Sequence, residues 1–148
     1  MIHVDDFEQL SDEQIVAHAA MQDVGEVQPD WYGPTVLKSV RDGHAVIEKR
    51  KYGYAIIHPQ GFVDVLVDGA PCRRRRTILE VLFLSPPFRG TCTIDSFLAE
   101  LKQRYQKRSM YLICHETWRR DFFIKHGFIV LTEPEPGLFE MEFASQDG

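Results

Sequence analysis

Leu84-Ser85-Pro86-Pro87-Phe88-Arg89-Gly90-Thr91-Cys92-Thr93-Ile94 joins two stretches of opposite character. Before it, Thr77 to Leu84 is the most apolar run in the chain, which predicts a central strand covered on both faces. After it, Ile94, Phe97, Leu98, Leu101 and Tyr105 recur at spacings of three and four, which predicts an amphipathic helix over about 93–106. A strand-loop-helix joint of this kind aims backbone N–H groups and a positive helix end at one spot, the arrangement that holds phosphates.

Outward from this joint the chain reads as alternating helices and strands. A short strand, Ile2 to Val4, opens it. Ser11-Asp12-Glu13-Gln14 is a capping box, with Ser11 as N-cap and Gln14 as its reciprocal partner. Ile15, Val16, Ala19 and Ala20 continue the helix to a stop at Gly25. A second helix runs from Pro34, taken as its first residue, to Val40, with Asp42-Gly43 ending it. His44 to Lys51 and Tyr52 to His58 read as β, Pro59-Gln60-Gly61 as a turn, and Phe62 to Val67 as a strand ending at Asp68-Gly69. Beyond the joint come a strand at Met110 to Cys114 and a short helix capped by Thr117, with Trp118, Phe122 and Phe123 facing inward and Gly127 stopping it. Strands at Phe128 to Thr132 and Leu138 to Phe143 follow, separated by the Glu133-Pro134-Glu135-Pro136-Gly137 turn. The order is β-α-α-β-β-β-α-β-α-β-β. It predicts an α/β (α+β) chain with a mixed, largely antiparallel central sheet and helices on both faces.

The 148 residues fit a single domain, with 145–148 as a disordered tail. No apolar run approaches the roughly 20 residues that span a bilayer. The N-terminus has neither a basic flank nor an apolar core, so a cytoplasmic location is expected, or packaging in a virion from there. Cys72, Cys92 and Cys114 cannot all pair within one chain and read as reduced thiols. The histidines have no metal spacing, so no metal is expected.

The net charge of −5 is unevenly distributed. Residues 1–43 hold Asp5, Asp6, Glu8, Asp12, Glu13, Asp23, Glu26, Asp30 and Asp42 against Lys38 and Arg41. Basic runs stand at Arg73 to Arg76 and at Lys102, Arg104, Lys107 and Arg108. They read first as a solvated turn and a solvated helix face, and otherwise as docking sites for an anionic cofactor or, as a lesser alternative, for nucleic acid. No nucleic-acid motif accompanies them, so nucleic acid is not an expected partner.

Three local motifs in this order resemble the GNAT superfamily of acyltransferases. Leu84-Ser85-Pro86-Pro87-Phe88-Arg89 is similar to the family's V-x-P-x-x-[RQ] segment, and Phe97-Leu98 fall on its two helix leucines. Phe122-Phe123-Ile124-Lys125-His126-Gly127-Phe128 is similar to its aromatic pair before K-x-G-F. The resemblance covers most of the chain and is sharpest from Ile78 to Phe128.

It implies an acetyl-CoA-dependent N-acetyltransferase in which an amine acceptor attacks the thioester directly. The cofactor's diphosphate is expected on the amides of Arg89, Gly90, Thr91, Cys92, Thr93 and Ile94, and its pantetheine arm along Leu82, Phe83 and Leu84. Cys92 and Ile94 stand where the family prefers glycine or alanine, which would let backbone approach a diphosphate. Phe123 takes the place of the usual tyrosine acid and has no proton to give. Glu80 lies where family members sometimes carry a glutamate base, and a carboxylate buried among its apolar neighbours would have a raised pKa. The bland alternatives for Glu80 are a salt bridge to one of Arg73 to Arg76 or a solvent-facing strand position. His115 and Glu116 are the second choice, or else simply a polar start to the next helix. Trp31-Tyr32 reads as packing before it reads as an acceptor contact. The acidic N-terminal region favours a cationic acceptor such as a polyamine, an aminoglycoside or a lysine side chain. A homodimer is compatible with all of this. The competing expectation is a non-catalytic GNAT-like protein, of the kind phages encode, that uses the scaffold to bind a partner.

Overall fold

A computed structural model of the chain describes residues 4–22 and 28–145. Its helices are α1 (Asp12–Gln22), α2 (Tyr32–Arg41), α3 (Cys92–Arg104) and α4 (Thr117–Lys125). Its strands are β1 (Val46–Arg50), β2 (Gly53–Val67), β3 (Ala70–Leu84), β4 (Met110–His115), β5 (Ile129–Glu135) and β6 (Leu138–Phe143). They form one sheet in the order β1-β2-β3-β4-β6-β5, mostly antiparallel, with β3 and β4 parallel. The predicted mixed sheet is therefore present. The expected opening strand and the Gly25 stop involve residues outside those described, and so does most of the expected tail.

By internal contacts the chain divides into two compact units, Met1–Ile57 with Glu80–Ile94, and His58–Leu79 with Asp95–Gly148. In the first unit, the capping box forms as expected. Ser11 N–H donates to Gln14 Oε1 at 2.9 Å, and Gln14 N–H to Ser11 Oγ at 3.2 Å. Ile15, Val16 and Ala19 are buried on one face of α1 and pack with Phe7, Val36, Tyr54 and Ile56 into the unit's core. Helix α2 begins two residues before Pro34. Proline is tolerated there because the amides of a first turn have no helical carbonyl to bond. Strand β1 pairs antiparallel with β2 from Val46–Ile57 to Arg50–Gly53, so the chain reverses at Lys51-Tyr52 within what reads as continuous β sequence.

In the second unit, Pro59-Gln60-Gly61 is not a turn but the middle of β2. The glycine makes room instead of bending the chain: a Cβ at Gly61 would fall on Ile78 Cδ1. Pro59 keeps a role through its carbonyl, which accepts from Thr77 Oγ1 at 3.2 Å. Arg73 to Arg76 lie in β3, not in a solvated turn. The second basic run is not a uniform solvated face either. Lys102 is half-buried, donates to the His126 carbonyl at 2.8 Å and lies 4.5 Å from the Phe143 ring centroid. Burial lowers its pKa. Phe97, Leu98, Leu101, Leu112, Phe123, Phe128 and Met141 are buried in this unit. Trp118, expected inside, is 61% exposed because α4 starts at Thr117 and turns that position outward. Glu133 to Glu135 extend β5, and only Pro136-Gly137 turn. All three cysteines are free thiols, with Cys114 buried and Cys92 exposed. No helix among the described residues is long and apolar enough to cross a membrane.

Candidate active site

The first unit brings Glu80, Leu82 to Leu84 and Arg89 to Ile94 together on consecutive pieces of chain. Successive strand residues point to opposite faces. Val81 and Phe83 pack against the Phe7–Tyr54 core, so Glu80 and Leu82 are turned the other way. Glu80 is consequently exposed, the solvent-facing alternative, and not buried among its apolar neighbours. It is held all the same: the Tyr32 hydroxyl, from α2, donates to Glu80 Oε2 at 3.0 Å. No local pattern could have shown this partner, which is 48 positions away. By sequence Tyr32 reads first as packing beside Trp31 and only then as an acceptor contact, and Trp31 itself is 64% exposed.

Phe83 is the centre of the core beneath. Its ring stacks on Tyr54 at 5.5 Å and meets His18 at 4.7 Å and Phe7 at 5.6 Å. His18 Nδ1 and the Tyr54 hydroxyl are 2.7 Å apart. Burial raises the Tyr54 pKa and lowers that of His18, so it favours the neutral form of each group.

The joint after Leu84 does without the glycines that the resembled family prefers. Pro86–Phe88 make a single 3₁₀ turn, and Gly90 alone takes the left-handed φ of +74°. Cys92 and Ile94 belong to the first turn of α3, and neither has a positive φ, so neither position requires glycine for conformation. Thr91 caps the helix. Its Oγ1 accepts from Thr93 N–H at 3.3 Å and donates to the Phe88 carbonyl at 2.7 Å. Arg89 folds back, donating from Nε to the Leu84 carbonyl at 2.8 Å with its guanidinium 5.2 Å from the Phe83 centroid.

These residues fit a diphosphate in part. A Cβ at Gly90 would meet nothing within 4 Å, so the backbone there is approachable. Cys92 and Ile94 present first-turn amides with no helical carbonyl to bond. The Thr93 amide is taken by Thr91, and the Leu84 carbonyl, expected to serve pantetheine, is taken by Arg89.

Glu116 and Phe123 lie in the second unit. Glu116 is exposed, has φ +73° and ψ 142°, and accepts the indole N–H of Trp118. Its own N–H donates to the Gly137 carbonyl at 3.0 Å. Phe123 is buried between Phe122 and Phe128, at centroid distances of 5.1 and 5.3 Å, a setting in which a ring needs no hydroxyl. Among the described residues, no group of His, Cys, Asp and Glu side chains is arranged to hold a metal ion.

No protein-family model matches the sequence, and no curated protein matches it. Solved structures do share its fold. A tyrosine-to-phenylalanine mutant of the toxin AtaT, bound to acetyl-CoA and to the C-terminus of the antitoxin AtaR, superposes with a TM-score of 0.57. The match covers 79% of this chain and 78% of that one at 11% identity. AtaT complexed with acetyl-methionyl-tRNAfMet superposes at 0.59, over 76% and 78%, at 12% identity. A Corynebacterium glutamicum protein described as histone acetyltransferase HPA2 and related acetyltransferase gives 0.56 over 90% and 88%, at 14% identity. The PaiA N-acetyltransferase of Thermoplasma acidophilum, in complex with coenzyme A, gives 0.53 over 89% of both chains at 13% identity. The chain thus has the fold of the GNAT acetyltransferases.

Proposed function

We propose that this chain transfers an acetyl group from acetyl-CoA to an amine, with Glu80 as the base. The observation that carries this is the Tyr32–Glu80 hydrogen bond, which orients a solvent-accessible carboxylate on the strand leading into the Gly90 joint. When bound, acetyl-CoA supplies an activated acyl carbon. Gly90 to Ile94 would hold its diphosphate and Leu82 to Leu84 its pantetheine arm, once Arg89 releases the Leu84 carbonyl. Glu80 takes the proton that the amine nitrogen loses as its bond to the acyl carbon forms and the carbon–sulfur bond breaks. Phe123 has no proton for the departing sulfur, so water supplies it. The excess of carboxylates in residues 1–43 favours a cationic acceptor.

A second reading is supported by Arg89. Its bond to Leu84 occupies the strand's outgoing carbonyl, as in a scaffold that binds a partner without a cofactor. Thermal unfolding with and without acetyl-CoA separates the two. Ligand at 100 times its Kd stabilises a binding protein by about 2.7 kcal/mol. The wild-type Tm is expected to rise with acetyl-CoA, and Glu80→Gln to keep that rise while losing acetyl transfer to polyamine acceptors. An unchanged wild-type Tm would leave the scaffold reading standing.

A further inference from the structure

One side-chain contact inside the proposed site is not needed to build it. The joint after Leu84 is held from several sides. Ser85 N–H donates to the Tyr52 carbonyl at 2.9 Å, and the Phe88 ring stands 5.7 Å from that of Tyr52. The amides of Phe88 and Arg89 close the 3₁₀ turn on the Ser85 and Pro86 carbonyls, at 2.9 and 3.2 Å. Thr91 ties that turn to α3 through the Phe88 carbonyl. None of these bonds involves the Arg89 guanidinium.

That guanidinium is committed instead to Leu84, the last residue of β3. Its Nε donates to the Leu84 carbonyl at 2.8 Å, and it lies 5.2 Å from the Phe83 centroid. Leu84 is buried, and a carbonyl left without a donor there is costly. Arg89 supplies the donor. Elsewhere arginines are held by carboxylates: Arg41 by Glu13 at 2.7 Å, Arg76 by Glu142 at 2.7 Å and Arg120 by Asp121 at 2.9 Å. Among the described residues no carboxylate pairs with Arg89, although its side chain is exposed.

We infer that Arg89 is an autoinhibitory latch, which holds the Leu84 carbonyl against the incoming cofactor and is displaced when acetyl-CoA binds. The inference rests on the acetyl-transfer reading, which puts the pantetheine arm on Leu82 to Leu84. The side chain is suited to exchange. A guanidinium is a planar, permanently charged fork that binds phosphate oxygens bidentately. Arg89 adjoins Gly90, where the backbone is approachable and the diphosphate is proposed to sit. Released from Leu84, it trades a carbonyl for an anion that the cofactor itself carries, so the ligand opens its own site. Molecules with the latch closed do not bind, and the apparent affinity falls in proportion to the open fraction. An arginine that merely braced the turn would keep its bond to Leu84 with ligand present.

The test is calorimetric titration of the full chain with coenzyme A, for wild type and Arg89→Lys, with NMR of wild type alongside. Lysine keeps the positive charge but has no donor part-way along its side chain. Arg89→Lys is expected to bind coenzyme A about 5-fold more tightly than wild type. In wild type an NOE from the Arg89 Nε–H to the Phe83 ring is expected without ligand and is expected to vanish at saturation. Where wild type binds, equal or weaker binding by Arg89→Lys overturns the latch, and so does an NOE that persists at saturation. Binding by Arg89→Lys alone would support a latch closed in nearly every wild-type molecule. Binding by neither overturns the acetyl-transfer reading and the latch with it, which tells the two failures apart. The NOE is read on the unaltered chain, so it decides the matter even if Arg89→Lys folds poorly.

Discussion

Among the described residues the chain passes from strand to helix at Leu84–Cys92 and at His115–Thr117, and both passages need a residue with a left-handed φ. The first uses Gly90 at +74°, with open space where a Cβ would be. The second uses Glu116 at +73° with ψ 142°, a region that side chains other than glycine's avoid at a cost of about 1–3 kcal/mol. Glu116 is retained there by its N–H bond to Gly137 and by the Trp118 indole on its carboxylate. The difference bears on function. At the Gly90 joint the backbone is relaxed and the positive end of α3 can receive an outside anion. At the Glu116 joint the chain's own carboxylate already stands at the start of α4. Of these two, the first is where the proposed function puts an anionic ligand.

The strongest way to break the first joint is from beneath. A Cβ at Gly53 would fall on the carbonyl oxygen of Phe83 and crowd the Leu84 Cα, backbone atoms that cannot swing aside. Gly53→Ala is expected to cost on the order of 3 kcal/mol in urea unfolding and to abolish any acetyl-CoA-dependent Tm shift. Gly61→Ala clashes with the Ile78 side chain at Cδ1 and Cγ1 and with no backbone atom, and should cost less.

Exchanging the residues at the two positive-φ positions tests the contrast directly. Gly90→Ala is expected to destabilise by about 1–2 kcal/mol, since the left-handed conformation alone is penalised. Glu116→Gly is expected to stabilise by roughly 1 kcal/mol, because relief of strain outweighs an exposed hydrogen bond. Opposite signs in denaturant midpoints would sharpen the comparison, and equal signs would break it.

The smallest effect concerns His18, which supports the first joint through Phe83. Its pKa is lowered by burial, so the unfolded chain binds the extra proton first. Stability from this group is therefore full above about pH 6.5, the ordinary histidine value, and falls as pH drops below it. Wild type should lose stability between about pH 7 and 5 more steeply than His18→Gln, as measured by urea midpoints.

Much of the fold was legible because it rests on short-range rules. The Ser11–Gln14 box, the buried face Phe97-Leu98-Leu101 and the β6 boundaries follow from residues within a few positions of one another. The errors came where one local signal had two physical causes. Pro59-Gln60-Gly61 looks like a turn, yet Gly61 is small because Ile78 lies over it. Trp118 looks like core, yet the helix start turns it outward. At the candidate site, Glu80 and the Gly90 joint were visible as residues. The bond of Glu80 to Tyr32 and that from Arg89 to Leu84 were not.

By itself, then, the sequence determined the order of elements, the joint after Leu84 and the residue types available for chemistry. Periodicity, capping and turn preferences act along the chain and can be read there. Only the tertiary structure decided that Tyr32 holds Glu80, that Arg89 closes onto Leu84 and that the Thr77 amide bonds to Ser109. Those pairings join residues made neighbours by the way the strands fold back on one another, and nothing in their own sequence surroundings specifies the partner.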